Sequence, residues 1–276
     1  MSPTLKGASV ALIGAGNMGL AMLEGWAKEG LSGQDAVVVE PNPSQRLSDL
    51  CTAKGFSLTA TPGAGAARDA VILAVKPQAL EAGAASAEPF VGPGSVVVSI
   101  LAGKRIADLS ARLPAAKAIV RAMPNTPAAI GRGMTGAFAN TETTEPQRAL
   151  ADALLKAAGQ VEWVENEALI DAVTAVSGSG PAYVFYLVET LAAAGVAAGL
   201  PEALAGRLAR ATVEGAGELL HRQPETSAET LRQRVTSPGG TTAAALGVLM
   251  GEDGLAPLMA RAVEAARKRA EELSGS

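Results

Sequence analysis

A glycine-rich segment, Gly14-Ala15-Gly16-Asn17-Met18-Gly19, stands between a short apolar run, Ser9–Ile13, and a helical stretch, Leu20–Lys28. A second apolar run, Ala36–Glu40, follows at the spacing of a βαβ unit. In this setting the first glycine permits a tight turn, the second leaves room for a pyrophosphate, and the third lets the helix pack on the strand. The N–H groups that begin the helix suit phosphate oxygens. The segment therefore predicts a dinucleotide-binding unit; a glycine-rich turn without a ligand is the alternative.

Further short apolar runs alternate with helical stretches through the first half of the chain. Several of them are apolar throughout, as expected of strands that are covered on both faces. Strand–helix alternation predicts an α/β fold with a parallel sheet and right-handed crossovers. We therefore expect an N-terminal Rossmann domain over residues 1–166. The predicted strands are Ser9–Ile13, Ala36–Glu40, Ala70–Val75, Ser95–Leu101, Ala118–Met123 and Thr135–Ala139.

After about Val164 the strand-like runs stop and long helical periods take over. Gly199 and Pro201 supply a helix end and a new helix start. We expect residues 167–276 to form an all-α domain. Its helices are rich in alanine and glycine and offer few large side chains, so the helices either pack very closely or complete their core with a second copy of the chain. We predict a homodimer through this domain.

Glu40 lies at the end of the second predicted strand, where an acidic side chain hydrogen-bonds the adenosine ribose of NAD. The same carboxylate would repel the 2′-phosphate of NADP. Asn42, Ser44 and Arg46 follow closely and could bind that phosphate if Glu40 turned away. The sequence leaves NADPH and NADH open, and a third reading is that Glu40 only solvates the strand end.

Small or polar residues follow each of the first five predicted strands. Carboxyl ends of parallel strands share one edge of the sheet, which is where ligands bind in open α/β folds. We therefore predict a cofactor site at this edge, in which Lys76 either neutralises cofactor charge or only extends into solvent. The candidate cofactor-binding residues are Gly14, Ala15, Gly16, Asn17, Met18, Gly19, Glu40, Asn42, Ala74, Val75, Lys76, Pro77, Ala102, Gly103 and Asn125.

Two motifs in the second half place glycines and hydroxyl side chains before helical stretches. They are Ser177-Gly178-Ser179-Gly180-Pro181-Ala182-Tyr183 and Ser237-Pro238-Gly239-Gly240-Thr241-Thr242. Main-chain N–H groups at such helix starts bind anions, a carboxylate as well as a phosphate. Ordinary helix caps are the alternative.

Composition excludes several other classes. A net charge of −4 disfavours a nucleic-acid surface. With His221 as the only histidine and Cys51 as the only cysteine, a zinc site and a Ser-His-Asp hydrolase are disfavoured, and we predict no metal. No segment offers 18 unbroken apolar residues. We expect a cytoplasmic protein with no membrane or nucleic-acid partner.

Five motifs taken together resemble one enzyme family. They are GAGNMG at 14–19, AVKP at 74–77, MPNTP at 123–127, SGSGPAY at 177–183 and SPGGTT at 237–242. This combination, spread over almost the whole chain, resembles Δ1-pyrroline-5-carboxylate reductase, the last enzyme of proline biosynthesis. GAGNMG is shared with many dehydrogenases, whereas the other four motifs in combination are highly specific.

The resemblance implies reduction of the cyclic imine 1-pyrroline-5-carboxylate to L-proline with hydride from NADPH or NADH. It implies a Rossmann domain followed by a helical dimerisation domain, with dimers in some members assembled into rings. It also implies that AVKP contacts the cofactor and that the SPGGTT segment binds the substrate carboxylate. The candidate substrate-binding residues are Ser179, Ser237, Gly239, Gly240, Thr241 and Thr242, and Thr242, the candidate catalytic residue, would hydrogen-bond the ring nitrogen.

One segment departs from the family pattern. His221–Leu231 is longer than the usual spacing before SPGG, which makes an acidic residue near the substrate hard to place; Glu225 is a weak candidate. Another reductase, of the β-hydroxyacid dehydrogenase type, would need a catalytic lysine in the second half, and no lysine lies between Val164 and Pro238. A dinucleotide-binding module without turnover would not need SGSGPAY or SPGGTT.

Overall fold

Valine- and isoleucine-rich runs form the strands of one eight-stranded sheet in the computed structural model, which describes residues 5–63 and 65–275. All six predicted runs are strands. Two further strands, β3 and β8, lie at the two edges of the sheet, and their partly exposed residues carry no continuous apolar run. The strands are β1 Val10–Ile13, β2 Ala36–Val39, β3 Ser57–Thr59, β4 Ala70–Leu73, β5 Val96–Ser99, β6 Ala118–Met123, β7 Gly133–Ala139 and β8 Gly159–Trp163.

The strand order is β3-β2-β1-β4-β5-β6-β7-β8. Strands β1 to β6 are parallel, but β7 pairs antiparallel with β6 and parallel with β8. The predicted parallel sheet is therefore confirmed except at this edge, where β7 runs antiparallel to β6. The connection from β6 to β7 contains only a short 3-10 helix, Thr126–Ile130, and a parallel return needs a crossover of about a dozen residues.

Helices cover both faces of the sheet. Alternate residues of β1 enter two different apolar layers, because successive side chains of a strand point to opposite faces. Trp26, fully buried in one layer, donates its indole N–H to the Leu154 carbonyl at 2.8 Å. The helices are α1 Asn17–Lys28, α2 Gln45–Lys54, α3 Leu80–Ala87, α4 Ile106–Arg112, α5 Glu145–Lys156 and α6 Leu169–Val173, and a π-helical turn, Thr174–Gly178, follows α6.

Cys51 packs in α2 as a small apolar side chain. It is buried in the same layer as Trp26. Burial raises the pKa of its thiol because the thiolate would be poorly solvated there. Cys51 is therefore a structural rather than a reactive thiol.

The later residues form helices only, as predicted. These are α7 Gly180–Ala197, α8 Glu202–Arg222, α9 Ala228–Arg234, α10 Thr241–Leu249 and α11 Leu255–Ser274. Gly195 lets α7 approach α8 closely, since a Cβ atom there would lie 3.2 Å from the Ala205 Cβ. No residue of α7 is buried, and in α8 only Ala205 and Ala209 are.

The chain divides into two compact units after Gly178. The second unit comprises Ser179–Ala265, and the residues from Ala266 onward return to the first. The sequence placed the boundary between residues 166 and 167, at the change from strands to helices. Hydrogen bonds from the sheet and from the chain end to α6, described below, account for the inclusion of residues 167–178 in the first unit.

One helical stretch among the described residues, Leu169–Ala197, is long and apolar enough to span a membrane by length and composition alone. None of its apolar window is buried within the chain. The stretch consists of α6, the π-helical turn and α7, with the SGSGP sequence at its centre. Helices of soluble proteins pass the same test of length and composition.

Candidate active site

The three glycines of the GAGNMG loop occupy three different environments. Gly14 has a φ of +84°, and a Cβ atom there would lie 2.8 Å from the Val75 Cγ1 atom. A Cβ atom at Gly19 would lie 2.7 Å from the Gly14 carbonyl oxygen. Gly16 is exposed, with open space where its Cβ would stand. The first and third glycines therefore permit tight packing, and the second leaves the backbone open to a ligand, as a pyrophosphate site requires.

Helix α1 begins immediately after Gly16. No side chain caps its first N–H groups, and its first turn contains no acidic residue. The partial positive charge at this helix start is therefore available to an anion. The geometry fits the phosphates of a dinucleotide.

A cavity of about 570 Å³ opens over this loop. The ends of β1, β2 and β4 line it, together with the first residues of α1 and one side of α3. Nine predicted cofactor-binding residues meet here: Gly14, Ala15, Gly16, Asn17, Glu40, Asn42, Ala74, Val75 and Lys76. Three of the five predicted strand ends, which are neighbours in the sheet, thus meet here, whereas those of β5 and β6 do not line this cavity.

Helix α3 contributes residues to the cavity that the sequence did not indicate. Ala82, Gly83 and Ser86 line its wall. A Cβ atom at Gly83 would lie 2.8 Å from the Val75 Cγ2 atom, so this glycine lets α3 pack against the AVKP loop. The sequence signal for this wall was a glycine inside a helical stretch, which often marks close packing or a functional position.

Glu40 is held by two backbone groups at the rim of the cavity. Its Oε2 atom accepts a hydrogen bond from the Ala15 N–H at 2.8 Å, and its Oε1 atom accepts one from the Asn42 N–H at 3.0 Å. The carboxylate therefore connects the glycine-rich loop to the turn after β2. Both carboxylate oxygens are thus bonded to the backbone, whereas the third interpretation of the sequence assigned them only to solvent.

The SPGGTT segment lies in the second unit and begins α10. Gly239 has a φ of +70°, and the Gly240 N–H donates to the Ser237 carbonyl at 3.1 Å. This turn leads directly into Thr241 with Gly240 as the N-cap, and no side chain caps the helix. Its first N–H groups therefore have no side-chain cap, as an anion site requires, and a carboxylate at this position stays a prediction.

Comparison with known proteins identifies the family of the chain. A family model described as pyrroline-5-carboxylate reductase dimerisation matches residues 167–273, and one described as NADP oxidoreductase, coenzyme F420-dependent, matches residues 9–103. Pyrroline-5-carboxylate reductase of Pseudomonas aeruginosa is 39% identical over 96% of this chain and 96% of its own length. The chain belongs to the pyrroline-5-carboxylate reductase family.

Two further members give the same assignment. The Synechocystis reductase is 41% identical over 96% of this chain and 97% of its own. A solved structure of the Coxiella burnetii reductase superposes with a TM-score of 0.88 at 36% identity, covering 97% of this chain and 98% of that one. This reductase family consists of oxidoreductases that use a nicotinamide cofactor, and the chain is an enzyme of that class.

The remaining predicted cofactor residues of this reductase lie outside the cavity. Met18 lines a smaller cavity of about 230 Å³ that shares Asn17 and Leu20 with the first. Gly19 is buried, and Pro77 begins the short 3-10 helix Pro77–Ala79. Gly103 packs against the chain end, since a Cβ atom there would lie 3.0 Å from the Leu273 Cβ. Ala102, beside it, is partly buried. Their roles toward a cofactor stay predictions.

Asn125 has its amide engaged within the protein. Its Nδ2 atom donates to the Ser177 carbonyl and Oγ at 3.2 Å each, and its Oδ1 atom accepts from the Met134 N–H at 2.9 Å. Asn125 therefore joins the MPNTP loop, the start of β7 and the π-helical turn. A contact between this side chain and the cofactor also stays a prediction.

A buried ion network lies beneath this loop, and the sequence reading did not include it. Arg121 of β6 donates from Nη2 to Asp171 Oδ1 at 2.9 Å and from Nη1 to Glu167 Oε1 at 3.4 Å. Ser274 donates to the other oxygen of Asp171 at 3.1 Å, and the Ile106 N–H donates to Glu167 at 2.8 Å. The network holds α6 and the end of α11 against the sheet.

Ser179 and Glu225 belong to the second unit. Ser179 is the N-cap position of α7, where its carbonyl accepts from the Ala182 N–H at 3.0 Å. Glu225 is exposed in the turn between α8 and α9. Helix α9 overlaps the end of the long segment His221–Leu231 and extends beyond it. The sequence pattern did not predict this helix.

Across residues 5–63 and 65–275, no three His, Cys, Asp or Glu side chains cluster as metal ligands would.

Proposed function

We propose that the chain reduces 1-pyrroline-5-carboxylate to L-proline with NADPH or NADH, the last step of proline biosynthesis. The observation that carries this assignment is the uncapped start of α10 behind the Ser237–Gly240 turn, in a chain whose first unit holds the cavity over GAGNMG. An uncapped helix start of this kind suits the carboxylate of a small substrate.

The first unit binds and orients the cofactor, which supplies the hydride when bound. The backbone N–H groups at the start of α1 hold the pyrophosphate against Gly16, where no Cβ intervenes. Lys76, exposed at the end of β4, balances part of the phosphate charge. A protonated cyclic imine is already a good electrophile, so the protein chiefly has to orient the two rings.

The helical region, which we assign to residues 167–276, binds the substrate. The substrate carboxylate is held by main-chain N–H groups and hydroxyls of the predicted residues Ser179, Ser237, Gly239, Gly240 and Thr241. The Thr242 hydroxyl lies in the first turn of α10 and hydrogen-bonds the ring nitrogen. It orients the substrate or relays a proton, and no separate acid–base pair is needed.

The test is a mixture of the purified chain, reduced cofactor and 1-pyrroline-5-carboxylate, followed by the loss of absorbance of the reduced nicotinamide. We expect oxidation of the cofactor only when the imine is present, with L-proline as the product. Binding of the cofactor without imine-dependent oxidation would instead indicate a dinucleotide-binding module. Oxidation of the reduced cofactor with a semialdehyde or keto acid, but not with the imine, would favour the β-hydroxyacid dehydrogenase type.

Thr242→Ala is expected to lower kcat at least about tenfold, because a hydrogen bond to a charged group contributes about 1.5–3 kcal/mol. Cofactor affinity, measured by titration, should stay unchanged, since the residue lies outside the dinucleotide cavity. Thr242→Ser retains a hydroxyl and is the matched control, with most of the activity preserved. Wild-type turnover in Thr242→Ala would remove this residue from the site.

We propose that the chain is a homodimer formed through the helical region. Helix α7 has no buried residue within one chain, although it is strongly apolar. Large apolar side chains exposed in the helical region include Phe185, Tyr186, Leu187, Leu208, Val248 and Met250. A second copy would cover them, and the family model that matches this region is one of dimerisation.

Light scattering is expected to give at least twice the chain mass of 27.6 kDa at micromolar concentration. A higher multiple would indicate rings of dimers, which this surface leaves open. Phe185→Glu should reduce the mass to that of one chain, while Glu189→Gln on the same helix should not. A monomeric wild type would contradict the proposal. A second copy that covers the apolar stretch Leu169–Ala197 would shield it from water, so that no membrane is needed to do so. We therefore propose a cytoplasmic location.

A further inference from the structure

The end of β2 carries a fixed negative charge at the place where the two nicotinamide cofactors differ. NAD has a free ribose 2′-hydroxyl there, and NADP has a phosphate of about two negative charges. We infer that Glu40 makes this chain prefer NADH over NADPH; the inference rests on the proposed function only for the use of a nicotinamide cofactor. The family description over residues 9–103 names NADP, and the inference is argued instead from this chain's own residues.

Glu40 has little freedom to turn away from the ribose. The Ala15 and Asn42 N–H groups each donate to a different oxygen of its carboxylate, at 2.8 and 3.0 Å. Rotation away from the cavity would break both charge-assisted bonds and leave the Ala15 N–H of the glycine-rich loop without that acceptor. Each carboxylate oxygen retains a lone pair, so the group can still accept from ribose hydroxyls.

The one cationic residue that could bind a 2′-phosphate is engaged elsewhere. Arg46 donates from Nε and Nη2 to the two oxygens of Glu24, at 2.8 and 2.9 Å. The Ser44 Oγ accepts from the Leu47 N–H as the N-cap of α2. The Asn42 N–H is bound to Glu40. The three candidates that favoured NADPH in the sequence therefore do not present a free cationic site.

Lys76 does not replace them. It is the only cationic side chain among the described residues that line the cavity. It follows β4, whereas Glu40 follows β2, and β1 lies between these two strands. Neighbouring strands are about 4.8 Å apart, so the two strand ends are separated by roughly 10 Å. Lys76 is thus placed toward the pyrophosphate and away from the 2′-position of the ribose.

Titration of the full-length protein with each reduced cofactor, followed by nicotinamide fluorescence, tests the inference without substrate. We expect the Kd for NADH to be about tenfold lower than that for NADPH. This is a modest effect for repulsion between the Glu40 carboxylate and the 2′-phosphate of NADPH. Glu40→Gln should bring the two Kd values to within about threefold, mainly by tightening NADPH. Glu29→Gln removes the same charge at the far end of α1 and should leave the ratio unchanged.

Equal affinities in the wild type, or tighter binding of NADPH, would overturn the inference. A Glu40→Gln protein that loses affinity for both cofactors equally would also overturn it, since Glu40 would then only support the loop. Glu40→Ser, which removes the charge and also leaves space, should narrow the ratio at least as far as Glu40→Gln. A protein that prefers NADH in titration yet fails to oxidise it with the imine would refute the proposed function and leave this inference standing.

Discussion

Gly16→Val is expected to weaken binding of the reduced cofactor about a hundredfold or more, because the pyrophosphate loses several hydrogen bonds to charged oxygens at once. The added side chain would occupy the open space in front of the first N–H groups of α1. The backbone itself tolerates the change, since Gly16 has a φ of −63° and a ψ of −167°. Fluorescence titration measures the affinity, and thermal unfolding checks the fold.

The unfolding temperature of Gly16→Val should stay within about 4 °C of the wild type, since the substitution costs only the difference between a good and a poor N-cap residue. Gly94→Val is the matched control, because Gly94 is exposed, has open space at its Cβ and lies far from the loop in sequence. Cofactor binding by Gly16→Val at wild-type strength would place the pyrophosphate away from residues 14–19 and would contradict the assignment of the cavity.

The cofactor site was predictable where local spacing determines the geometry. A strand, three spaced glycines and a helix define their own turn, so Gly14, Gly16 and Gly19 could be given separate roles before the structure was known. The orientation of Glu40 could not be predicted, because it depends on N–H groups 25 residues earlier and two residues later. The inference that this chain prefers NADH therefore rests on the structure and not on the sequence pattern.

The far edge of the sheet shows where sequence patterns fail. β8, with the sequence GQVEW, alternates in burial and has no continuous apolar run. The direction of β7 follows from the length of the connection before it, which an apolar pattern does not report. Helix α9 is a single seven-residue helix with no buried residue, so no amphipathic period marks it. Short elements of this kind are specified by their neighbours.

Arg121 indicates a buried ion pair from the sequence alone, but the sequence does not identify its partners. It is a charged residue within the apolar strand AIVRAM, and its side chain is only 3% exposed. A buried charge requires a partner. Its partners, Glu167 and Asp171, lie more than forty residues further along the chain, and nothing in their local sequence distinguishes them from other acidic residues.

Arg121→Met is expected to lower the free energy of unfolding by about 3–5 kcal/mol, the cost of leaving a buried charge unpaired. For a protein of this size that loss corresponds to a fall in Tm of about 10 °C. Asp171, equally buried, would keep Ser274 as a donor but lose its cationic partner. Thermal unfolding and urea titration measure the effect, and we expect cofactor affinity of the folded protein to change far less.

Arg112→Met separates this effect from the loss of any arginine. Arg112 pairs with Glu81 at 2.9 Å, but the two side chains are 36% and 84% exposed, so its replacement should cost about 1 kcal/mol or less. Arg121→Met combined with Asp171→Leu should be more stable than Arg121→Met alone, because removing both buried charges leaves neither one unpaired. If Arg121→Met were no more destabilising than Arg112→Met, the network would not be what holds α6 and the end of α11 on the sheet.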